Sequence, residues 1–302
     1  MTRLKAIDWV SPTTDAIIFA AQLRSNYTDL QHNLFLLTFD NALGLAPPNK
    51  PNSKVNRVLD VGTGTGIWAV EFGEDHPEAD VFILHVAILW DHCSQLTEHS
   101  VPPNVRFEID DLEEEWTVSK PFDYIFSRMM NSSIKDWAAF MKQAYNHLEP
   151  GGYFELQEPD LVPLSDDGTL KPDSALMKCI DLIYDASVKL GRPYQEIPPL
   201  VKVMEEAGFV DVKLNVFKWP TNSWPREPKY KELGIWTNAN NCRGFEGFCM
   251  APFTRAHGWT KEEVHVFLVD VRKDISNPSI HAYWPIYSLY GRKPEEEASE
   301  EN

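Results

Sequence analysis

From Val55 onward, short apolar runs alternate with stretches of helical spacing. Arg57–Val61 is a β-branched run that ends in glycines, and Ile67–Asp75 repeats apolar residues at helical intervals before Pro77. Asp80–Val86 reads as a strand, Val105–Ile109 alternates as one before the chain turns acidic, and Phe122–Ser127 is a further buried run. Asp136–Leu148 is an amphipathic helix stopped by Glu149, Pro150, Gly151 and Gly152, and Tyr153–Gln157 is the next strand. Such alternation predicts an α/β fold with a mostly parallel sheet covered by helices on both faces.

The flanks read differently. Tyr27–Leu45 carries Leu30, Leu34 and Leu37 at helical spacing, and the run Ala46-Pro47-Pro48-Asn49-Lys50-Pro51-Asn52 then breaks any regular element. Residues 1–50 are therefore expected to form an N-terminal helical segment and 51–294 the main domain. Within the domain, Ala175–Leu190 and Leu200–Ala207 read as helices, the second closed by Gly208, and Phe209–Trp219 reads as a long strand. Lys229–His257 is rich in Gly, Asn and aromatics, and a cap insertion is expected around 219–259. Thr260–Ile275 is a helix with Thr260 as its N-cap and Glu262 and Glu263 in the first turn. His281–Tyr290 closes the domain as an aromatic strand, and 295–302 is an acidic tail expected to fray.

The sharpest local signal lies between the first strand and the first helix. Val58-Leu59-Asp60-Val61-Gly62-Thr63-Gly64-Thr65-Gly66-Ile67-Trp68 takes a buried strand through three glycines directly into a helix. Glycines there permit positive φ and close approach of a ligand. The helix N-terminus points free N–H groups into the crevice where open α/β sheets bind ligands. The third glycine comes one residue too early for the dinucleotide fingerprint, and no Lys follows as a P-loop requires. The loop is instead a G-x-G-x-G form preceded by Asp60, which suits the amino-acid end of S-adenosylmethionine (SAM).

Charge narrows the partners. Twenty-eight Lys and Arg stand against 45 Asp and Glu, a formal net charge of −17. No basic patch offsets this, so a nucleic-acid substrate is not expected. No apolar run reaches the roughly 18–20 residues that span a bilayer. No secretory signal is evident either, so a cytoplasmic location is expected, or a nuclear one for a regulator. Cys93, Cys179, Cys242 and Cys249 lack the spacing of a metal site or disulfide scaffold, and no metal is expected.

Several blocks, in order, resemble one family. VLDVGTGTGIWAVEFGEDHPEADV, VPPNVRFEIDDLEEEW, FDYIFSRMM, SIKDWAAFMKQAYNHLEPGGYFELQE and GWTKEEVHVFLVDVRKD, with SIHAYWPIYSLYGRKP after them and DLQHNLFLLTFDNALGLAPPN before, are similar to the fungal LaeA-like methyltransferases. The resemblance covers roughly 29–294 with one gap. It implies a class I, Rossmann-like methyltransferase fold whose final strand runs antiparallel, with SAM as cofactor and a role around secondary metabolism.

Carried over residue by residue, it places Gly62, Thr63, Gly64 and Gly66, behind Asp60, against SAM. Asp110, Asp111 and Leu112 fall where an acid and a backbone N–H meet the adenine, and Ser127, Arg128 and Met129 fall beside the methyl group. One position departs. The acid that usually binds the ribose hydroxyls is replaced by His85, Val86–Ser100 does not follow the family's short connection, and Asp91 is the nearest later acid. Three readings of this stay open: ribose held another way, weak or no SAM binding, or a misplaced exon boundary.

Methyl transfer needs a base only when the acceptor must lose a proton. The candidate bases are Glu158, His32, His147, His257 and His281, with Arg128 as a further catalytic candidate. The leading expectation is a methyltransferase acting on a small molecule in fungal secondary metabolism. The alternatives are a LaeA-like regulator working through protein partners, and a repurposed fold that catalyses a cyclisation.

Overall fold

A computed structural model describes residues 30–85, 101–109, 115–118 and 120–295. Seven strands form one sheet: β1 Arg57–Val61, β2 Asp80–His85, β3 Val105–Ile109, β4 Phe122–Arg128, β5 Leu148–Pro159, β6 Val210–Pro220 and β7 Tyr283–Arg292. Their spatial order is β3-β2-β1-β4-β5-β7-β6. The first five are mutually parallel, whereas β7 runs antiparallel to both β5 and β6. This is the class I methyltransferase sheet. The strand order reverses between β1 and β4, which opens a crevice at their carboxyl ends.

Helices cover both faces. On one, α2 (Ile67–Asp75) buries Trp68 and Phe72 against β1 and β4, with the Trp68 ring 3.8 Å from that of Phe126. On the other, α3 (Trp137–Asn146) and α5 (Leu200–Ala207) bury Phe140, Met141 and Met204 against Phe154 and Leu156. A third cluster joins α1 (residues 30–38), α4 (Ala175–Lys189), α6 (Pro228–Ala256) and α7 (Lys261–Ser276) to Trp219, Trp284 and Ile286 of β6 and β7. No helix among the described residues is long and apolar enough to cross a membrane.

Most boundaries follow the hydrophobic pattern, and the differences have local causes. The helix expected through Leu45 ends at residue 38, because Asp40 and Asn41 take positive φ of 55° and 69°. Residues 27–29 of that expected helix lie outside the described residues. Strand β5 begins at Leu148, taking over the stop expected at Glu149–Gly152. Leu148 already pairs with Phe122, and the next pair, Tyr153 with Tyr124, leaves those four residues as a bulge. The Gly- and Asn-rich segment read as a cap is a helix of 29 residues. Packing there overrides propensity: a Cβ on Gly234 would lie 2.0 Å from the Asn222 carbonyl oxygen, and Asn238 Nδ2 donates to the carbonyls of Thr221 and Ile275. Thr260 caps α7 as its sequence predicts, in a reciprocal capping box with Glu263.

The segment after α1 runs along β4 and β5, from Arg128 and Gln157 at Leu43 back to Tyr124 at Asn49, and is fastened there by two buried groups. Glu155, fully buried, accepts hydrogen bonds from the backbone N–H groups of Leu45 and Ala46 at 2.9 Å, from Tyr124 at 2.9 Å and from Ser288 at 2.9 Å. The Leu43 carbonyl accepts from Trp68 Nε1 (3.0 Å), Arg128 Nη2 (3.2 Å) and Gln157 Nε2 (3.1 Å). The N-terminal segment is thereby tied to α2, β4 and β5 at once. Removing Glu155 strands several buried donors, each costing about 1–3 kcal/mol. Glu155→Ala is expected to lower the unfolding free energy by about 3 kcal/mol or more in urea denaturation, and a loss below about 1 kcal/mol contradicts this anchoring role.

Candidate functional site

The carboxyl ends of β1, β4 and β5 meet at the glycine loop. Gly62, Gly64 and Gly66 take φ of 77°, 60° and 76°, a region open to few other residues. Gly66 is the N-cap of α2 and has no side chain to satisfy the helix's first N–H groups, which face the crevice. The loop presses on the turn after β4: a Cβ on Gly62 would stand 2.2 Å from Met130 Sδ. That turn is itself bent, because Met129 adopts φ 59° without being glycine, a conformation that costs energy unless its surroundings hold it.

Glu158 does the holding. It is fully buried at the end of β5, and its carboxyl accepts from the backbone N–H of Met130 at 2.7 Å and of Asn131 at 3.2 Å. Burial pushes its pKa up to about 8, against those two hydrogen bonds and the positive charge of Arg128. Asp60 sits behind the loop at 2% exposure, and its Oδ2 has no hydrogen-bond partner among the described residues. Burial raises it to about 7, opposed by the Thr63 hydroxyl and Arg128. The Ser127 hydroxyl, fully buried at the end of β4, is likewise unpartnered. Thr63 Oγ1, in the loop itself, is a third such atom, and buried polar atoms are rarely left unpaired.

Arg128 serves as a clamp. Its Nε donates to Gln157 Oε1 at 2.8 Å, its Nη1 meets His32 Nδ1 at 3.0 Å, and its Nη2 reaches Leu43. The guanidinium also lies 4.3 Å over the Phe35 ring, and burial lowers its pKa to about 10. It therefore stays charged at neutral pH, which suits a fixed cation and not a base. The other nitrogen of His32 meets Glu71 Oε2 at 2.9 Å. Both ring nitrogens are thus engaged, which removes His32 as a free proton acceptor.

The other candidate histidines, His147, His257 and His281, lie in structural roles. His147 bonds the carbonyls of Gln143 and Trp116, His257 that of Leu182, and His281 the carboxylate of Asp167. Asp110, Asp111, Leu112, Asp91 and 86–100 lie outside the described residues. His85 ends β2, paired with Ile109 of β3.

A pocket opens on the far side of the Met129–Asn131 turn, one residue from the loop contact at Met130. Glu158 and Met129 line it at the sheet end, Gln31 of α1 on one wall, and Tyr194, Phe245 and Trp284 around it. Sequence reasoning missed Gln31, Asn131, Tyr194 and Asn240, also of the lining, because they come from four separate segments with no shared motif. Gln157 was missed too, although its alternation with Glu155 along β5 is visible in the sequence.

Comparison with known proteins agrees with the sheet. The profile of the methyltransferase-domain family matches residues 30–214. Methyltransferase pytC of Aspergillus terreus is 39% identical over 266 residues, covering 88% of this chain and 79% of its own. Secondary metabolism regulator LAE1 of Cochliobolus heterostrophus is 34% identical over 273 residues, covering 89% and 86%. Among solved structures, an O-methyltransferase family protein from Burkholderia thailandensis aligns with TM-score 0.53 at 12% identity, over 94% of this chain and 62% of that one. Phosphoethanolamine N-methyltransferase 2 of Haemonchus contortus, solved with phosphomonomethylethanolamine and S-adenosylhomocysteine, gives 0.50 at 17% identity over 81% and 50%. The structural likenesses concern the fold.

The two buried acids fix a pH dependence. Both have folded pKa values, about 7 and about 8, above their ordinary 3.8 and 4.5. Their contribution to stability is full below about pH 4 and is lost as pH rises through 7 and 8, because the unfolded chain releases these protons earlier. Asp60→Asn is expected to shrink the fall in unfolding free energy between pH 5 and pH 9 by roughly 2–4 kcal/mol. Urea titrations of both proteins at the two pH values check this, and an unchanged difference refutes it.

Proposed function

This chain belongs to the methyltransferase-domain family and is a SAM-dependent methyltransferase, and from that premise we propose that it methylates a small-molecule intermediate of fungal secondary metabolism. The observation that carries this reading is the aromatic-walled pocket beside the glycine loop. A concave, mostly apolar site with few polar groups is the usual form of a small-ligand site. The pocket and the loop share the Met129–Asn131 turn as a wall, so an acceptor in the pocket lies next to whatever the loop holds.

In this reading Asp60, Gly62, Thr63, Gly64, Gly66 and Ser127 hold the amino-acid end of SAM. The residues fit it: the unpartnered Asp60 Oδ2 and Ser127 Oγ match a group rich in N–H donors, and a cation beside Asp60 favours its charged form. Asp110, Asp111 and Leu112 are assigned to the adenine by resemblance. Arg128 positions the N-terminal segment and balances the nearby carboxylates. Bound SAM supplies a methyl group on a sulfonium, transferred by in-line displacement. The chain's task is then to orient the acceptor, since alignment provides most of the rate, and to exclude water. Glu158 is the proposed proton acceptor for an O–H or N–H group, being the buried carboxyl that the pocket and the turn share.

A second reading, a regulator acting through protein partners, is favoured by the 34% identity to a protein named as a secondary metabolism regulator. Transfer from labelled SAM to aromatic alcohols and amines separates the two. The small-molecule reading predicts methylated product with the native chain and none with Gly64→Arg. It also predicts a kcat/KM that rises as pH passes about 8, where Glu158 loses its proton, with Glu158→Gln about 100-fold slower and lacking that rise. Absence of any heat of binding at millimolar SAM sinks the reading.

A further inference from the structure

The pocket's buried polar groups are nearly all engaged already. The indole N–H of Trp219 donates to Thr38 Oγ1 at 2.7 Å and that of Trp284 to the Leu161 carbonyl at 3.2 Å. Asn131 bonds Gln195 reciprocally, its Nδ2 donating to the Gln195 carbonyl at 2.8 Å and its Oδ1 accepting from the Gln195 N–H at 2.9 Å. Both oxygens of Glu158 receive backbone N–H groups. Asn240 is the exception in the lining. It is 2% exposed, and its Oδ1 has no partner among the described residues.

Its place on α6 is not incidental. Asn240, Asn241, Gly244, Phe245 and Phe248 all line the pocket, and their spacing puts them on one stripe of the helix. Such a stripe facing an aromatic cavity needs only apolar residues to pack. An amide there with an unanswered oxygen is unfavourable for the empty protein and is satisfied when a ligand brings a donor. Glu158 and Met129 approach the same cavity from the sheet end, while Asn240 approaches from the helical layer.

Resting on the acceptor-pocket reading above, we infer that Asn240 is a specificity-determining residue, which selects a flat aromatic acceptor bearing an O–H or N–H donor. The aromatic walls take the rings, and Asn240 Oδ1 takes the hydrogen. Acceptors of the same shape without that donor leave the amide oxygen buried and unpaired, and are discriminated against for that reason.

Two probes of nearly equal shape test this on the full chain: 2-naphthol, which carries the donor, and 2-methylnaphthalene, which does not. Their binding is measured by equilibrium dialysis with saturating S-adenosylhomocysteine, whose own binding is followed by calorimetry. Asn240→Leu is expected to weaken 2-naphthol roughly tenfold and to leave 2-methylnaphthalene unchanged or tighter. Asn240→Ala guards against a blocked pocket and should shift the ratio of the two affinities in the same direction. Both variants should bind S-adenosylhomocysteine as the native chain does. An unchanged ratio in both variants, or no binding of either probe to the native chain, overturns the assignment of Asn240. Failure of the native chain to bind S-adenosylhomocysteine overturns the underlying methyltransferase site instead.

Discussion

Glu155, a carboxylate with no solvent exposure, and the Leu43 carbonyl are what the rest of the structure depends on. Between them they draw donors from the N-terminal segment, from α2, from β4, β5 and β7, and bring them to one point behind the site. A buried carboxylate is costly unless its oxygens are well supplied with donors, so this one specifies a single arrangement of the chain around it. The segment over 43–49 has no strand or long helix of its own. Its position is fixed by what it donates and accepts, and α1 is thereby held where Gln31 reaches the pocket.

The same layer governs the site's electrostatics. Arg128 is the cation acting on Asp60, Glu155 and Glu158, and burial of these acids works against their ionisation at Asp60 and Glu158. Burial holds Asp60 and Glu158 partly or wholly protonated near neutral pH. A positively charged ligand beside them would favour their charged forms. The unpartnered oxygens of Asp60 and Ser127 lie on that acidic side, and the positive φ of Met129 is tolerated because Glu158 grips the two amides that follow it.

Much of this was legible in the sequence. The central strands, the helix after the glycine loop and the positive φ of the loop's glycines follow from apolar periodicity and from glycine spacing, because both are local properties. The helix of 29 residues over Pro228–Ala256 was not legible, since its glycines and asparagines serve close packing and cross-chain hydrogen bonds that no local rule reports. The sequence offers His32 as a candidate by residue type and Arg128 by its place after β4 in the resemblance. Their partners, Leu43, Gln157 and Glu71, are distant in the chain, and only the fold shows that these bonds engage both side chains. Gln31, Asn131, Tyr194 and Asn240 of the pocket lining were hidden for the same reason, since they come from four separated segments.

The central claim is that the loop and the buried acids behind it form one cofactor site beside an acceptor pocket. A crystal structure of the chain with S-adenosylhomocysteine tests it most directly. The account predicts the ligand's amino-acid end against Gly62–Gly66, within hydrogen-bond distance of Asp60 or Ser127, and its sulfur facing the Met129–Glu158 wall of the pocket. A ligand bound elsewhere, or one that leaves Asp60 and Ser127 without a partner, contradicts it.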